Sequence, residues 1–300
     1  MIKIAHNQNF VLQLPEGHKF PIAKYNLVPS QLLSESTIKK ENLFSPIVEN
    51  REIVELTHTG EYVSKLLTDE LTDKEIRKIG FPRSMELIER EFMIARGTRE
   101  GAQYALKNGV AFNSAGGTHH AYADHGEGFC LLNDVACAAN YLLNHEKINS
   151  ILIVDLDVHQ GNGTAKIFEH KERVFTFSMH GKSNYPLHKE TSDLDIALSH
   201  GVTDDEYLEI LRTTLPTLIH KTNPEIIFYV AGVDVLESDR WGQLNLTVGG
   251  CMERDRYVFE MAHKNNIPIM VTMGGGYSPD INIIMEAHCN TYRAAFQIFQ

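Results

Sequence analysis

The segment Ser150-Ile151-Leu152-Ile153-Val154-Asp155-Leu156-Asp157-Val158-His159 decides the fold class of this chain. Its first half is an apolar run rich in β-branched residues, which is typical of a parallel strand buried on both faces. Its second half carries Asp155, Asp157 and His159 at alternate positions, so an extended backbone projects all three side chains to one side. Because ligands of open α/β sheets bind at the carboxyl ends of strands, these residues indicate a metal site.

The alternative interpretation of this segment is an ordinary solvated strand end that caps the next helix. Two features count against it. His159 has the same parity as the two acids, and the turn Gly161-Asn162-Gly163 lets backbone come close to the site. We therefore favour the metal site.

The rest of the chain alternates between strand and helix patterns. Strands separated by helices of this length imply a parallel sheet covered on both faces. No Pro-, Gly- or Ser-rich linker is present, so we predict a single domain over residues 1–300 with a three-layer α/β/α fold and a mainly parallel central sheet. The first 80 residues are predicted to be irregular apart from a few short helices. The predicted strands are 110–113, 151–155, 174–178, 226–231 and 268–273, and the predicted helices are 86–108, 134–145, 204–220, 253–264 and one from about 280.

Composition restricts the classes of function. The net charge of −11 argues against direct nucleic-acid binding, which needs a basic face. The charge is compatible with cationic substrates, although solubility alone is the favoured explanation. No stretch reaches the roughly 18 apolar residues of a membrane helix, and residues 1–10 lack the apolar core of a signal peptide. The four cysteines form no CxxC pair and no disulfide framework, which predicts a cytoplasmic protein: Cys130, Cys137, Cys251 and Cys289.

Polar and glycine-rich clusters follow five of the predicted strands. Parallel strands end at one edge of a sheet, so these clusters are expected to converge there. Five such clusters in corresponding positions are stronger evidence for a functional site than any one of them alone. The clusters are Ser114-Ala115-Gly116-Gly117-Thr118-His119-His120, the Asp155–His159 segment, Ser178-Met179-His180, Ala231-Gly232-Val233-Asp234 and Gly274-Gly275-Gly276-Tyr277.

The convergence permits metal-assisted hydrolysis of an amide. Asp157, His159 and Asp234 would supply three N/O ligands, which suit zinc or iron(II) and leave a coordination position open. A metal held in this way lowers the pKa of its bound water towards ~7 and polarises a carbonyl group. The pair His119 and His120 would supply a general base and acid. Each histidine needs a partner on its far nitrogen, and Asp155 and Asn162 are candidates; Tyr277 would donate to a developing oxyanion.

Taken singly, each of these features has a simpler explanation. A His-His pair is often an accident of the surface or core, and three glycines in a row can cradle phosphate or merely turn the chain. Asp234 alone would serve as a helix cap, and Tyr277 alone as a loop anchor. Cys130, between Phe129 and Leu131, is predicted to be a small buried hydrophobe rather than a reactive thiol.

Several motifs in order give the chain a specific resemblance. It resembles the histone deacetylase superfamily, which shares its fold with arginase, and within it most closely the class IV deacetylases and their bacterial relatives. The similarity runs from Pro15 to the C-terminal helix. The matching segments are Leu14-Pro15-Glu16-Gly17-His18-Lys19-Phe20-Pro21, Gly116–His120, Gly126-Glu127-Gly128-Phe129-Cys130-Leu131-Leu132-Asn133-Asp134, Asp155–Thr164, Ala231–Asp234, Ser238-Asp239-Arg240 and Gly274–Tyr277.

The resemblance implies a role for each matching position. It makes Asp157, His159 and Asp234 zinc ligands and His120 the favoured general base and acid. His119 would pair with Asp155, and His120 with Asn162. Tyr277 would polarise the acyl carbonyl. The implied substrate contacts are Phe129 and Tyr185 as channel walls, the carbonyl of Gly128, and Gly275; the implied positions around a structural potassium ion are Asp155, Asp157, His159, Ser178 and Met179.

Three positions depart from the best-known members. Asn162 stands where class I enzymes carry aspartate, which would give His120 a less acidic partner. Thr118 replaces an aromatic residue of class I enzymes, which is a class IV-like feature. Tyr185 stands where phenylalanine is common, so the channel is expected to have a polar rim.

These observations predict a zinc-dependent enzyme that removes acetyl or longer acyl groups from the ε-amine of lysine in proteins or peptides, with Fe²⁺ as an alternative metal. Two other functions remain open. One is an amidohydrolase of small acetylated amines such as acetylpolyamines, and the other is a non-catalytic acyl-lysine reader. An arginase-like ureohydrolase is disfavoured, because binuclear manganese sites need more Asp and His ligands. Acyl chain length, partner protein and oligomeric state are left undetermined by the sequence.

Overall fold

A computed structural model describes residues 1–300 and contains one eight-stranded sheet. Every pairing between strands is parallel, and the order is β2-β1-β3-β8-β7-β4-β5-β6. The α/β fold with a parallel sheet is thus confirmed, and the sheet is parallel throughout rather than mainly so. The strands are β1 (Lys3–Ala5), β2 (Leu43–Phe44), β3 (Val110–Asn113), β4 (Ile151–Asp155), β5 (Val174–Gly181), β6 (Leu194–Leu198), β7 (Ile226–Val230) and β8 (Ile269–Thr272).

Helices cover both faces of this sheet. Alternate residues of a strand face opposite sides, and β4 is apolar at every position but its last, so it is buried on both. Ile151 and Ile153 pack with α5 and α6, whereas Leu152 and Val154 belong to the larger core with α8, α9 and α10. The helices are α1 (Lys24–Ser34), α2 (Arg51–Val54), α3 (Gly60–Leu67), α4 (Asp73–Ile79), α5 (Met85–Asn108), α6 (Asp134–His145), α7 (Asn162–Phe168), α8 (Asp204–Thr222), α9 (Val248–Lys264) and α10 (Ile281–Phe299).

The register of the sheet brings the strand ends together. Asp155 at the end of β4 lies opposite Ser178 of β5 and Val230 of β7. Val230 in turn lies opposite Thr272 of β8, which lies opposite Asn113 of β3. The five polar clusters that follow these strands therefore meet at one edge of the sheet, as predicted.

The structure also differs from the predicted elements. β5 continues to Gly181, because Ser178 and His180 are buried at the site although their polarity resembles a strand end. α9 begins at Val248 rather than 253, since the Thr247 side chain caps the helix by accepting from the N–H of Gly250 at 2.9 Å. β6 was not predicted.

The first 80 residues contain more regular structure than the sequence suggested. They include the 11-residue helix α1 and two strands, β1 and β2, which extend the sheet beyond β3. Both strands are only two or three residues long, too short to show a periodic pattern. None of the helices is long and apolar enough to cross a membrane.

Candidate active site

Asp157, His159 and Asp234 come together at the carboxyl edge of the sheet. The Nδ1 atom of His159 lies 3.1 Å from Asp157 Oδ1 and 3.1 Å from Asp234 Oδ2. The three candidate ligand atoms lie within 4.8 Å of one another, and all three residues are buried. Backbone groups hold the carboxylates in place: the N–H of Gly275 donates to Asp157 Oδ2 at 2.7 Å, and that of Val158 to Asp234 Oδ1 at 2.9 Å.

The electrostatics of this cluster fit a cation. Burial and the adjacent charge of Asp157 raise the pKa of Asp234 to about 7. Burial alone would lower the pKa of His159, but its hydrogen bonds to the two carboxylates raise it to about 10. Without a metal ion, a proton on His159 balances the negative charge of the two carboxylates. A bound metal ion would take over that role. The set of two carboxylates and an imidazole suits a divalent metal such as zinc.

Glycines let the backbone pack against the ligand carboxylates. A Cβ atom on Gly232 would lie 2.3 Å from Asp157 Oδ2, and one on Gly275 would lie 2.0 Å from Asp234 Oδ2. Both distances are shorter than any real contact, so only glycine fits at either position. Gly275 lies behind the ligands, with its N–H bound to Asp157 and its carbonyl accepting from Val233 at 3.0 Å.

The tandem histidines each have the partner that the sequence suggested. His119 Nδ1 lies 2.6 Å from Asp155 Oδ2, and His120 Nδ1 lies 2.7 Å from Asn162 Oδ1. Burial alone would lower the pKa of His119, but the carboxylate of Asp155 outweighs it and the pKa rises to about 9. Burial and the neighbouring His119 hold the pKa of His120 well below its usual value. The surroundings of the two rings thus favour the charged form of His119 and the neutral form of His120.

Tyr277 is held beside this cluster by a residue for which the sequence predicted no role. Asp239 Oδ2 accepts a hydrogen bond from the backbone N–H of Tyr277 at 2.6 Å. Burial and the charges of Asp157 and Asp234 raise the pKa of the Tyr277 phenol well above its usual value. The hydroxyl consequently stays protonated and able to donate. Asp239 lies in the quoted motif Ser238-Asp239-Arg240, so its position was available from the sequence but its partner was not.

A cavity of about 400 Å³ leads to the candidate site. Four of the ten residues that line it are Phe, Tyr or Trp, and the rings of His120 and His159 also line it. Phe129 and Tyr185 were predicted as walls and line the cavity, as does Gly128. Trp241 was not predicted, although it is the only tryptophan of the chain and follows the Ser238–Arg240 motif directly. The four aromatic residues are Phe129, Tyr185, Trp241 and Tyr277.

The Trp241 ring packs closely against its neighbours in this wall. Its centroid lies 5.9 Å from that of Phe129, with 21° between the ring planes, and 4.6 Å from that of Tyr277. Tyr185 is 39% exposed and meets the ring of His120 edge-on at 4.9 Å. Phe129, Trp241 and Tyr277 thus form one packed group of rings, and the exposed Tyr185 packs against the histidines instead.

A second layer of polar residues lies behind Asn162. Its Nδ2 atom donates to Glu127 Oε1 at 2.6 Å and to the Tyr122 hydroxyl at 3.0 Å. Glu127 Oε2 forms an ion pair with Lys78 Nζ at 2.5 Å. Burial alone would raise the pKa of Glu127, but the hydrogen bonds from Lys78 and Asn162 lower it. The sequence pointed to none of these contacts, which join residues 35 to 49 positions apart in the chain.

A buried lysine lies close to the site. Lys24 on α1 is fully buried, and its Nζ donates to the carbonyl of Gly274 at 2.9 Å. Burial lowers its pKa to about 8.

The positions predicted for potassium also lie together, because Ser178 pairs with Asp155 in the sheet and Met179 follows it. Ser178 Oγ lies 3.0 Å from His180 Nδ1, and burial lowers the pKa of His180 to about 4.

Comparison with known proteins gives the family. The family model for the histone deacetylase domain matches residues 18–292. The chain therefore belongs to the histone deacetylase domain family.

Individual relatives agree with this membership. An uncharacterized protein of a Picosynechococcus species (strain PCC 7002) is 40% identical over 296 residues, which is 99% of this chain and 99% of the relative. Histone deacetylase 2 of Arabidopsis thaliana is 28% identical over 269 residues, which is 87% of this chain and 70% of the relative. The crystal structure of the HDA15 HD domain superposes with a TM-score of 0.83 at 19% identity, covering 99% of this chain and 88% of that one. This last likeness confirms the fold.

Proposed function

We propose that this protein is a zinc-dependent hydrolase that removes acyl groups from the ε-amine of lysine in peptides or proteins. One observation carries the proposal: His159, a member of the buried Asp157–His159–Asp234 set, lines the aromatic cavity together with His120 and Tyr277. Membership in the histone deacetylase domain family supports the same reaction. Asp157, His159 and Asp234 would hold the ion.

Zinc bound there would lower the pKa of a water molecule and polarise the acyl carbonyl. The side chains of this protein supply the rest. His120 keeps Nδ1 on Asn162, so its Nε2 is free to accept the proton of the attacking water. The lowered pKa of His120 keeps the ring neutral at pH 7, as a base requires.

Two further groups serve the later steps. The Tyr277 hydroxyl donates a hydrogen bond to the carbonyl oxygen as negative charge develops on it. The leaving amine takes a proton from one of the two histidines. Burial opposes a proton on His119 but the carboxylate of Asp155 favours it, so His119 would add positive charge next to His120 before the amine leaves.

The cavity suits a lysine side chain that carries an acyl group. Its methylene chain would lie between the rings of Phe129, Tyr185 and Trp241, which offer apolar surface. The Gly128 carbonyl at the cavity wall would accept the substrate amide N–H, and Gly275 would act through the ligand carboxylates that it supports. We keep acyl chain length open for experiment.

Finer assignments complete the proposal. We infer from Thr118 that the protein is nearest the class IV enzymes and their bacterial relatives, and we propose that residues 1–300 are a single catalytic domain. A structural potassium ion would lie near Asp155, Asp157, His159, Ser178 and Met179. Four buried free cysteines support a cytoplasmic location.

The test is hydrolysis of matched lysine peptides that carry acetyl, octanoyl or myristoyl groups, with acetylputrescine alongside. Each substrate is assayed before chelation, after chelation and after zinc is restored. Turnover of a lysine peptide that chelation abolishes and zinc restores is the expected result, and the preferred chain defines the substrate. Turnover of acetylputrescine alone, or binding of acyl-lysine without turnover, would contradict the proposal.

Two variants test the assigned roles in the same assay. His120→Ala and Tyr277→Phe should each lower kcat by about 100-fold or more, because each removes a group that acts on the reacting atoms. The thermal unfolding midpoint and zinc content should stay near those of the wild type. Turnover close to that of the wild type in either variant would show that the assigned role is wrong.

A further inference from the structure

By itself, the side-chain amide of Asn162 can adopt either of two orientations towards His120. It presents an oxygen on one side and an NH₂ group on the other, and rotation by half a turn exchanges them with almost no change of shape. In one orientation the oxygen accepts from His120 Nδ1–H. In the other, the NH₂ group donates to His120 Nδ1 and drives the ring proton to Nε2. Only the first orientation leaves Nε2 able to accept a proton.

The groups behind Asn162 discriminate between these orientations. Glu127 is 5% exposed, and its carboxylate, which accepts but does not donate, lies 2.6 Å from Asn162 Nδ2. The Tyr122 hydroxyl donates its own proton to Glu190 Oε1 at 3.1 Å, so it too accepts from Asn162. Both neighbours of Nδ2 are therefore acceptors, and the oxygen of Asn162 is left to face His120.

Lys78 maintains the acceptor character of Glu127. Its ammonium group lies 2.5 Å from Glu127 Oε2, on the side of the carboxylate away from Asn162. Other titratable groups near this carboxylate are His125, whose Nε2 lies 3.9 Å from Oε2, and the Tyr122 and Tyr185 phenols. The resulting chain of contacts runs from Lys78 through Glu127 and Asn162 to His120.

We propose that Glu127 is a positioning residue that selects the Nδ1–H tautomer of His120 by fixing the orientation of the Asn162 amide. The inference rests on the proposed function, since the tautomer matters only if His120 Nε2 acts as a base. It also explains why an amide can stand where class I enzymes carry aspartate. A carboxylate accepts on both oxygens and needs no such support, whereas an amide does.

Glu127→Gln tests the proposal with almost no change of shape. Lys78 favours the oxygen of the new amide, which turns its NH₂ group towards Asn162 and so favours the flipped orientation. We expect kcat to fall by about 10- to 100-fold, the usual cost of losing a supporting residue of this kind, while KM changes far less. Glu169→Gln is the matched control, because Glu169 forms a similar ion pair with Lys166 at 2.7 Å on the surface.

A second substitution separates orientation from simple damage. Asn162→Asp gives His120 a partner that accepts in either orientation, although it places two carboxylates side by side. Glu127→Gln should therefore be harmless or beneficial in the Asn162→Asp background, and the double variant should exceed Glu127→Gln in kcat. If Glu127→Gln lowers kcat equally in the wild type and in the Asn162→Asp variant, the proposal is overturned.

A spectroscopic measurement gives a readout besides activity. In zinc-loaded protein with ¹⁵N-labelled histidine, the His120 ring is assigned by comparison with His120→Ala. We expect Nδ1–H in the wild type and Nε2–H in Glu127→Gln. An Nε2–H ring in the wild type would overturn the proposal even if Glu127→Gln failed to fold. An inactive wild type with the expected tautomers would refute the hydrolase but leave this inference standing.

Discussion

The carboxylate of Asp239 ties the backbone of Tyr277 to the loop that follows β7. Its Oδ2 atom accepts from the N–H of Tyr277 at 2.6 Å, while Oδ1 accepts from Trp241 and Gly242 at 2.9 and 2.8 Å. One side chain thus positions two walls of the cavity, the Trp241 and Tyr277 rings. By holding the backbone of Tyr277, it also helps to position the Tyr277 side chain at the site.

Asp239→Asn should lower activity by misplacing Tyr277. The new NH₂ group faces at least one backbone N–H, so a charge-assisted hydrogen bond is replaced by two opposed donors. We expect kcat to fall by about 10-fold or more. The check is a double-mutant cycle with Tyr277→Phe. If Asp239 acts through the Tyr277 hydroxyl, Asp239→Asn should lower kcat little further in a protein that already carries Tyr277→Phe. Fully additive losses of kcat from the two substitutions would show that Asp239 does not act through the Tyr277 hydroxyl.

Asp234→Asn should have opposite effects on the metal-free and the zinc-loaded protein. The pKa of Asp234 is raised to about 7, so the stability associated with its protonated form is lost as pH rises from 3.8 through 7. At pH 8 the metal-free wild type carries this cost, on the order of a few kcal/mol, and the variant does not. The metal-free variant should therefore unfold at the higher temperature.

Zinc should reverse that order. It should raise the unfolding midpoint of the wild type, because it binds the folded state, and leave Asp234→Asn nearly unchanged. Differential scanning calorimetry at pH 8, with and without chelator, measures both effects. Equal zinc-dependent shifts in the two proteins would show that Asp234 is not a ligand.

The sequence predicted the centre of the fold and of the candidate site for the same physical reason. β4 and its neighbours are buried on both faces, so they appear as apolar runs, and any polar residue at their ends stands out. Asp157, His159 and Asp234 stand out in this way, whereas the pairing of His119 with Asp155 and of His120 with Asn162 was implied by the family resemblance. The edge strands β1, β2 and β6 were missed because short or half-exposed strands carry a weaker pattern.

Contacts between distant segments carried no comparable signal. Glu127 reaches Asn162 and Lys78 only because the loop before α6 passes beside α4 and the start of α7. Trp241 becomes a wall because Asp239 turns its loop towards the cavity. Such pairings depend on the packing of loops, which periodicity does not encode.

Trp241→Ala should weaken substrate binding more than catalysis. The indole ring packs against the rings of Phe129 and Tyr277 but has no chemical role in the proposed reaction, so its loss should mainly remove binding shared by the ground and transition states. We expect kcat/KM for an acyl-lysine peptide to fall about 10-fold, mainly through KM. Trp241→Phe should restore most of the loss. A fall in kcat at unchanged KM would instead place Trp241 in the catalytic step.

Acid should destabilise the protein partly through His58. This ring is buried, and its Nε2 accepts from the backbone N–H of Asn133 at 3.0 Å, a contact that protonation destroys. Burial lowers the pKa of His58 from 6.5 to about 4. Because the folded pKa lies below the unfolded one, the associated stability is complete above pH 6.5 and is lost as pH falls towards 4.

His58→Gln isolates this contribution, since the glutamine oxygen can still accept from Asn133 but does not titrate. Between pH 7.5 and 5 the wild type should lose about 2 kcal/mol more unfolding free energy than the variant. Urea denaturation at the two pH values gives the difference directly, and other titrating groups cancel because both proteins share them. Parallel losses in the two proteins would mean that His58 already binds its proton without cost in the folded state. Asn133 also donates to Thr164 Oγ1 at 3.0 Å and to the carbonyl of Ala121 at 3.2 Å, so protonation of His58 should loosen the backbone that carries the tandem histidines as well.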